Sequence, residues 1–258
     1  MRPAVLELRG VRSAVAERPL VGIDLVLGEG DAVAVLGLPG AGKTSLVRLV
    51  AGLDDVAEGT LSLFGEDIAR LPFASARARR DRVAVVFERG GTWSNRSVLE
   101  NLVLPVAYRR DTSVAELGRD DALHALLDAV GLAGITARET ASLDDSERRR
   151  VLFVRALYAQ PDVLVVDEPQ AGLSRAHARL VAALVERLRR ERSLSVLYTD
   201  ADGRLDPFEA DRPVVLHERR IVPGAVRLPE RASVAQGAPE SVRGRSLASQ
   251  PPRAGGSP

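Results

Sequence analysis

The 258-residue chain contains no cysteine, which excludes disulfides, thiolate nucleophiles and zinc–thiolate sites. Aromatic residues are scarce, at 3%. None occurs between Met1 and Leu63, so that stretch offers no ring to stack on a planar ligand. No apolar run approaches the ~20 residues that a bilayer-spanning helix needs. Residues 1–7 have no signal-peptide hydrophobic region and meet an acid at Glu7, so the chain is expected to be made in the cytoplasm and to stay there. A formal net charge of +1 gives no reason to expect nucleic acid as a partner. The rarest charged residue is lysine. Of 36 lysines and arginines, all but Lys43 are arginine.

That single lysine stands in Gly37-Leu38-Pro39-Gly40-Ala41-Gly42-Lys43-Thr44, a phosphate-binding loop of the form G-x-x-x-x-G-K-[ST]. A compact ammonium has been kept where a planar guanidinium would not serve, as a point charge reaching the outer phosphates from inside a backbone cradle. The context fits. Residues 32–36 form a short apolar run suited to a buried parallel strand, and residues 43–51 read as a helix closed by Gly52. A helix N-terminus aims unpaired N–H groups at an anion. Residues 37–45, from Gly37 to Ser45, are therefore the candidate nucleoside triphosphate site.

A triphosphate site also needs a divalent metal and a group to activate water. Thr44 supplies a hydroxyl. Val163-Leu164-Val165-Val166 leads into Asp167 and Glu168, which places an acid at the carboxyl end of a strand, where open α/β sheets bind ligands. Thr44 and Asp167 are the candidate Mg²⁺ ligands, and Glu168 is the candidate general base.

Along the chain, strand-like runs at residues 4–8, 22–27, 61–64 and 83–87 give way to helical periodicity between residues 98 and 160. Leu123, Leu126, Leu127 and Val130 make one amphipathic stripe, and residues 147–159 another helix. Strand character returns at residues 163–166, 194–198, 214–216 and 220–222, with a long helix at residues 176–190. The pattern predicts an α/β domain with a mostly parallel sheet and an inserted helical subdomain at about residues 98–160. Residues 224–258, rich in Gly, Pro, Ser and Arg, read as a disordered tail. Arg148, Arg149 and Arg150 read as a solvated charge run opening a helix. His124, His177 and His217 neighbour no triad, and surface or structural roles are expected for them.

Taken together, the phosphate loop, the helical insertion, the helix Arg150-Val151-Leu152-Phe153-Val154-Arg155-Ala156-Leu157 and the acidic strand continuing as Pro169-Gln170-Ala171-Gly172-Leu173 resemble the ATP-binding cassette family over residues 4–223. The resemblance implies a P-loop NTPase core with a mostly parallel sheet and an antiparallel N-terminal β part, in one domain over residues 1–223. It implies ATP and Mg²⁺ as cofactors, hydrolysis coupled to transport, and a multi-span permease as partner. It also implies head-to-tail dimerisation, with an identical or a different cassette, on the cytoplasmic face of the inner membrane. Residues 86–105 look most like cassettes of bacterial phospholipid and solvent-resistance importers, which work with a lipid-binding, membrane-anchored subunit. Trp93 and residues 102–106 are candidates for docking the permease.

Measured against the family, several positions depart. The signature loop, Leu-Ser-Gly-Gly-Gln in the family, is Leu143-Asp144-Asp145-Ser146-Glu147 here, with three carboxylates that would repel a partner's phosphates. A glutamine becomes Glu88, which can still contact the metal. The switch histidine, expected just before Asp200, is Thr199, the adenine-stacking aromatic near Val15 is missing, and Ser174 replaces an aspartate. Slow hydrolysis, or pairing with a cassette carrying an ordinary signature, is the expected consequence. The rival reading is a regulatory ATP-binding module that does not power transport. A cassette acting on ribosomes or DNA usually has two fused copies, and this chain has one.

Overall fold

The computed structural model describes residues 2–201, 203 and 205–222; the tail expected to be disordered, residues 224–258, lies outside the described residues. The elements are, in chain order, β1 (Ala4–Ser13), β2 (Ile23–Gly28), β3 (Ala32–Leu36), α1 (Lys43–Val50), β4 (Val56–Leu63), β5 (Glu66–Asp67), α2 (Phe73–Arg80), β6 (Val83–Val86), α3 (Val98–Arg110), α4 (Val114–Leu117), α5 (Asp121–Ala129), α6 (Asp145–Tyr158), β7 (Val163–Asp167), α7 (Arg175–Arg192), β8 (Ser195–Asp200), β9 (Arg212–His217) and β10 (Arg220–Val222). They build a six-stranded sheet in the order β10-β9-β3-β8-β7-β6 and a four-stranded sheet in the order β2-β1-β4-β5. The larger sheet is parallel except for β10, and the smaller is antiparallel throughout.

Strands β3 and β7 are buried along their whole length because layers cover both faces of a parallel sheet. Alternate side chains serve the two layers. Val163 and Val165 join the core shared with α1 and the antiparallel sheet, whereas Leu164 and Val166 join the core of the helical segment. A continuous apolar run therefore marks these strands in the sequence, while half-buried strands are harder to delimit. β1 runs on to Ser13, past the expected end at Leu8, because register shifts around Gly10 let the strand continue through Arg9 and Arg12. β4 likewise begins at Val56, its exposed polar first half held by pairing with β1.

In the helical segment, α3 starts at a capping box in which Ser97 accepts from the Glu100 N–H and Glu100 accepts from the Ser97 N–H. Leu102, Val103 and Val106 are buried in the core that joins α3 to α6. This corrects the expectation that residues 102–106 form a docking surface as a block: Leu102, Val103 and Val106 pack inside, and only Leu104 and Pro105 are part-exposed. The Trp93 ring, in contrast, is 47% exposed. Its backbone is pinned by Asn101 and Thr140, and the Arg155 guanidinium lies 5.5 Å from its centroid.

Candidate functional site

β3 delivers the chain into the loop from Gly37 to Gly42, and α1 carries it away. Gly37 is packed so tightly that a Cβ there would lie 2.5 Å from the Leu216 carbonyl oxygen. Gly42 caps α1 at φ 110°, in the region that disfavours side chains. The first bond inside the helix runs from Leu46 N–H to Gly42 O at 2.9 Å. The N–H groups of Lys43, Thr44 and Ser45 thus open onto the cleft as the unpaired donors of a first helical turn. The Ala41 N–H donates to Leu38 O at 3.0 Å and the Ala41 side chain is buried in the core. Ala41 therefore shapes the loop and offers no donor to an anion. Gly37 and Leu38 act through their carbonyls, which accept from Lys43 Nζ at 2.7 and 3.5 Å.

The sheet register brings the acids to this loop. β8 separates β3 from β7, pairing Leu36 with Asp200 and Asp167 with Thr199. Thr44 Oγ1 donates to Asp167 Oδ2 at 2.8 Å, and Thr199 Oγ1 donates to Asp167 Oδ1 at 2.5 Å. Glu168 stands at φ 50°, a left-handed conformation that neighbouring contacts sustain. Its N–H donates to Thr199 Oγ1 and its Oε2 accepts from the Ala201 N–H, both at 3.2 Å. Its Oε1 lies 3.3 Å from Lys43 Nζ. Burial pushes the Glu168 carboxyl above the usual glutamate range. Lys43 opposes that shift and the like charge of Asp200 adds to it.

A cleft of about 690 Å³ runs from Pro39, Gly40 and Ser45 past Lys43 and Glu168 to Asp200. Asp200 lines this cleft, whereas Thr199 is fully buried and turned toward Asp167. The cleft-facing position at the end of β8 is therefore Asp200, which corrects the placing of the switch position at Thr199. Glu88 reaches the same cleft from beyond β6, with Arg89 Nε 3.3 Å from its carboxylate. Thr44 and Asp167 offer hard oxygen donors that suit Mg²⁺, an ion that keeps waters and phosphate oxygens among its ligands. Among the described residues, no group of three or more His, Cys, Asp or Glu forms a metal cage. A metal here would complete its shell with nucleotide oxygens.

The arginine run opening α6 is largely not a solvated face. Arg149 and Arg150 are 3% and 4% exposed. Arg149 donates to the Phe87 carbonyl, and its Nη2 to the carbonyls of Asp167 and Glu168, both at 2.8 Å. One buried guanidinium thus ties α6 to the chain just before Glu88 and to both acids. Burial lowers its pKa to about 10 against the pull of Asp167, Glu88 and Glu168, so it stays charged at neutral pH. Arg150 holds the Val130 and Gly131 carbonyls. Nothing in a triple-arginine string distinguishes these roles; the burial of the apolar residues that follow was the available hint.

At the start of α6, Asp144 accepts from the Glu147 N–H at 2.7 Å and Glu147 accepts from the Asp144 N–H at 3.1 Å, another capping box. Glu147 also pairs with Arg138 at 2.8 Å. Of the three carboxylates Asp145 is the one that takes no part in the capping box, and its side chain is 88% exposed. Ser146 Oγ meets His177 Nδ1 at 2.6 Å, His124 contacts the Gly118 carbonyl, and His217 pairs through its backbone at the β9–β10 turn.

The chain is similar to several known proteins. The family described as ABC transporter matches residues 20–171. The chain is 34% identical over 211 residues to the macrolide export ATP-binding/permease protein MacB of Rhodospirillum rubrum, covering 81% of this chain and 32% of that protein. It is 32% identical over 224 residues to the methionine import ATP-binding protein MetN 2 of Enterococcus faecalis, covering 85% and 64% respectively. It is 35% identical over 230 residues to the aliphatic sulfonates import ATP-binding protein SsuB 1 of Frankia alni, covering 88% and 77%. The chain thus spans less than two thirds of the first two. Among solved structures, a dimeric bacterial ABC transporter cassette matches with TM-score 0.73 at 20% identity over 84% of this chain and 96% of that one. The cbiO1 subunit from Clostridium perfringens matches with TM-score 0.72 at 21% identity over 86% and 88%. These two share the fold: a P-loop α/β core with parallel and antiparallel sheets.

Proposed function

The chain belongs to the ABC transporter family, and from that premise we propose that it is the nucleotide-binding subunit of a transporter, binding and slowly hydrolysing Mg-ATP to drive a membrane permease. The observation that carries this reading is the joining of two distant segments at one cleft: Lys43 beside Glu168, and Thr44 hydrogen-bonded to Asp167. The N–H groups at the start of α1 receive phosphate oxygens, and the Lys43 ammonium turns from the Gly37 carbonyl to the outer phosphates. Thr44 and Asp167 would hold Mg²⁺, which would supply charge neutralisation for the phosphates, with Glu88 at the rim as a further oxygen donor. Glu168 orients a water and takes its proton. Its position, half-buried and held by Ala201 and Thr199, excludes bulk solvent from one side of that water.

The domain is read as residues 1–223, with the helical part at about residues 98–160. Among the described residues no helix is long and apolar enough to cross a membrane; in the proposed assembly a permease carries the cargo, with the cassette docked on its cytoplasmic side. The exposed Trp93 and Tyr108 rings are the surface offered to a permease. Residues 86–105 support a phospholipid-like amphiphile as cargo and a lipid-binding, membrane-anchored subunit as third component. The relatives above are named for macrolide export and for methionine and sulfonate import, so this cargo rests on residues 86–105 and not on them.

A regulatory module that binds ATP without useful turnover is the second reading, favoured by Asp145 standing exposed in the signature and by Asp200 beside Glu168. One set of measurements separates them. Calorimetry on the purified chain is expected to show Mg-ATP binding that Lys43→Ala abolishes. Turnover, measured alone and with co-purified membrane partners, is expected to rise with the partners and to fall about 10²–10⁴-fold in Glu168→Gln. Binding with no turnover in any combination favours the regulator; binding indifferent to Lys43→Ala overturns both.

A further inference from the structure

We propose that Arg219 is a nucleotide-contacting residue whose guanidinium binds the α-phosphate of the triphosphate, next to Ser45 on the wall of the cleft. The inference rests on the nucleotide-binding reading above and adds to it a residue outside the phosphate loop and the acidic strand.

Arg219 occupies the two-residue turn between β9 and β10. Glu218 and Arg219 stand at φ 43° and 65°, a pair of left-handed positions where Asn-Gly or Gly-Gly is the usual choice. A long cationic side chain retained at such a position calls for a use that offsets the strain. Its backbone is clamped between two loops: the Arg219 N–H donates to Ala41 O at 3.0 Å, and its carbonyl accepts from the Val21 N–H at 3.1 Å. The side chain then crosses the face of Gly42, where a Cβ would come within 3.3 Å of Arg219 Cγ. Its Nη1 reaches to 3.4 Å from Ser45 Oγ, and the residue lines the same cleft as Lys43 and Glu168.

Three features point to an anion as its partner. Arg219 Nε is buried and makes no hydrogen bond among the described residues. No carboxylate forms a salt bridge with Arg219 among those residues, and the nearby charge is a second cation, Arg18. The Arg219 guanidinium adjoins the first turn of α1 at Ser45, and the N–H groups of that turn also favour negative charge. Position along the cleft selects the phosphate. Lys43, Thr44, Asp167 and Glu168 gather at the end that suits the outer phosphates, and Ser45 lies one residue further along the helix, on the Arg219 side. With no aromatic before Phe64 to stack on the base, a charge contact at the inner phosphate provides an anchor for the nucleoside end of the ligand.

The test uses the full chain with Arg219→Gly, a substitution suited to φ 65°, and with Arg219→Gln and Arg219→Lys. Nucleotide-free thermal unfolding should leave the Arg219→Gly midpoint unchanged or higher. Should that variant unfold non-cooperatively, Arg219→Gln serves for the same comparison. Calorimetry with Mg-ATP, Mg-GTP and Mg-tripolyphosphate is expected to show all three weakened about tenfold in Arg219→Gly, the scale of one charge-assisted hydrogen bond. Arg219→Lys should recover part of the loss. Unchanged binding of all three, with Lys43→Ala still abolishing it, overturns this assignment and leaves the nucleotide reading intact. Weakening of ATP and GTP without tripolyphosphate overturns the phosphate contact in favour of a nucleoside contact. A wild-type chain that binds none of them removes the underlying reading as well.

Discussion

Glu168 and Asp200 face one cleft from adjacent strands, and their proximity has a sign that can be measured. Burial first, and then the negative charge of Asp200, hold the Glu168 carboxyl above its ordinary range. A raised carboxyl keeps its proton to higher pH, and a protonated Glu168 cannot accept one from water. The acidic limb of the turnover–pH profile should therefore lie above the ordinary glutamate pKa of about 4.3. Asp200→Asn removes the repelling charge, so the limb should move to lower pH; a limb that stays in place means Asp200 does not act on the base. The same shift bears on stability. Ionised Glu168 is disfavoured in the fold, so its destabilising effect is absent below the ordinary glutamate range and grows as pH rises through it. Glu168 itself was legible from the strand before it. Asp200 was not, because the residue that faces the cleft at a strand end depends on which of Thr199 and Asp200 turns inward, and the Asp167 contact decides that.

At the scale of elements, α6 shows how local chemistry rearranges a charged segment. Three acids in Leu143–Glu147 read as three outward charges, yet Asp144 and Glu147 turn back to cap the helix they begin. Asp144→Ala should cost about 1 kcal/mol in chemical denaturation, the usual value of an N-cap. Asp145→Ala, at an exposed site with only a 3.4 Å contact to Arg148, should stay within about 0.5 kcal/mol. Equal losses at the two positions contradict this division of roles. The Asp-x-x-Glu pattern was present in the sequence as a cap signal. Its reading was obscured because the same residues occupy the place of a phosphate-capping loop.

For the whole molecule, the question is whether two copies can close on nucleotide. In the proposed assembly the start of α6 from one cassette faces the phosphates held by the other, and Asp145 brings there a carboxylate whose ion-pair partner is Arg148 at 3.4 Å. Two like charges about 4 Å apart repel by roughly 4 kcal/mol at an effective dielectric near 20. Sedimentation velocity on Glu168→Gln with Mg-ATP should therefore show weak self-association. Adding Asp145→Gly should tighten it at least about tenfold, the effect of removing about 1.4 kcal/mol of repulsion. Self-association already strong before that change would mean that the exposed acid does not meet the partner's phosphates. The tightening is expected to fade in high salt, since Asp145 is solvent-exposed and screened.

From its order of residues alone, the chain specified the phosphate loop, the acidic strand and the alternation of strands with helices. Each of these is local: a glycine conformation, a run of buried apolar residues, or a periodicity along one element. Tertiary structure decided which side chains share a site. Arg149 and Arg219 lie 106 and 176 positions beyond Lys43 in numbering, yet one braces the strand end that holds the acids and the other borders Ser45. Their placement depends on strand register and on loop backbones pairing across the sheet, which no stretch of neighbouring residues encodes. For the same reason Leu102, Val103 and Val106 of α3 proved to be core: hydrophobicity says that a side chain avoids water, and only packing says what covers it.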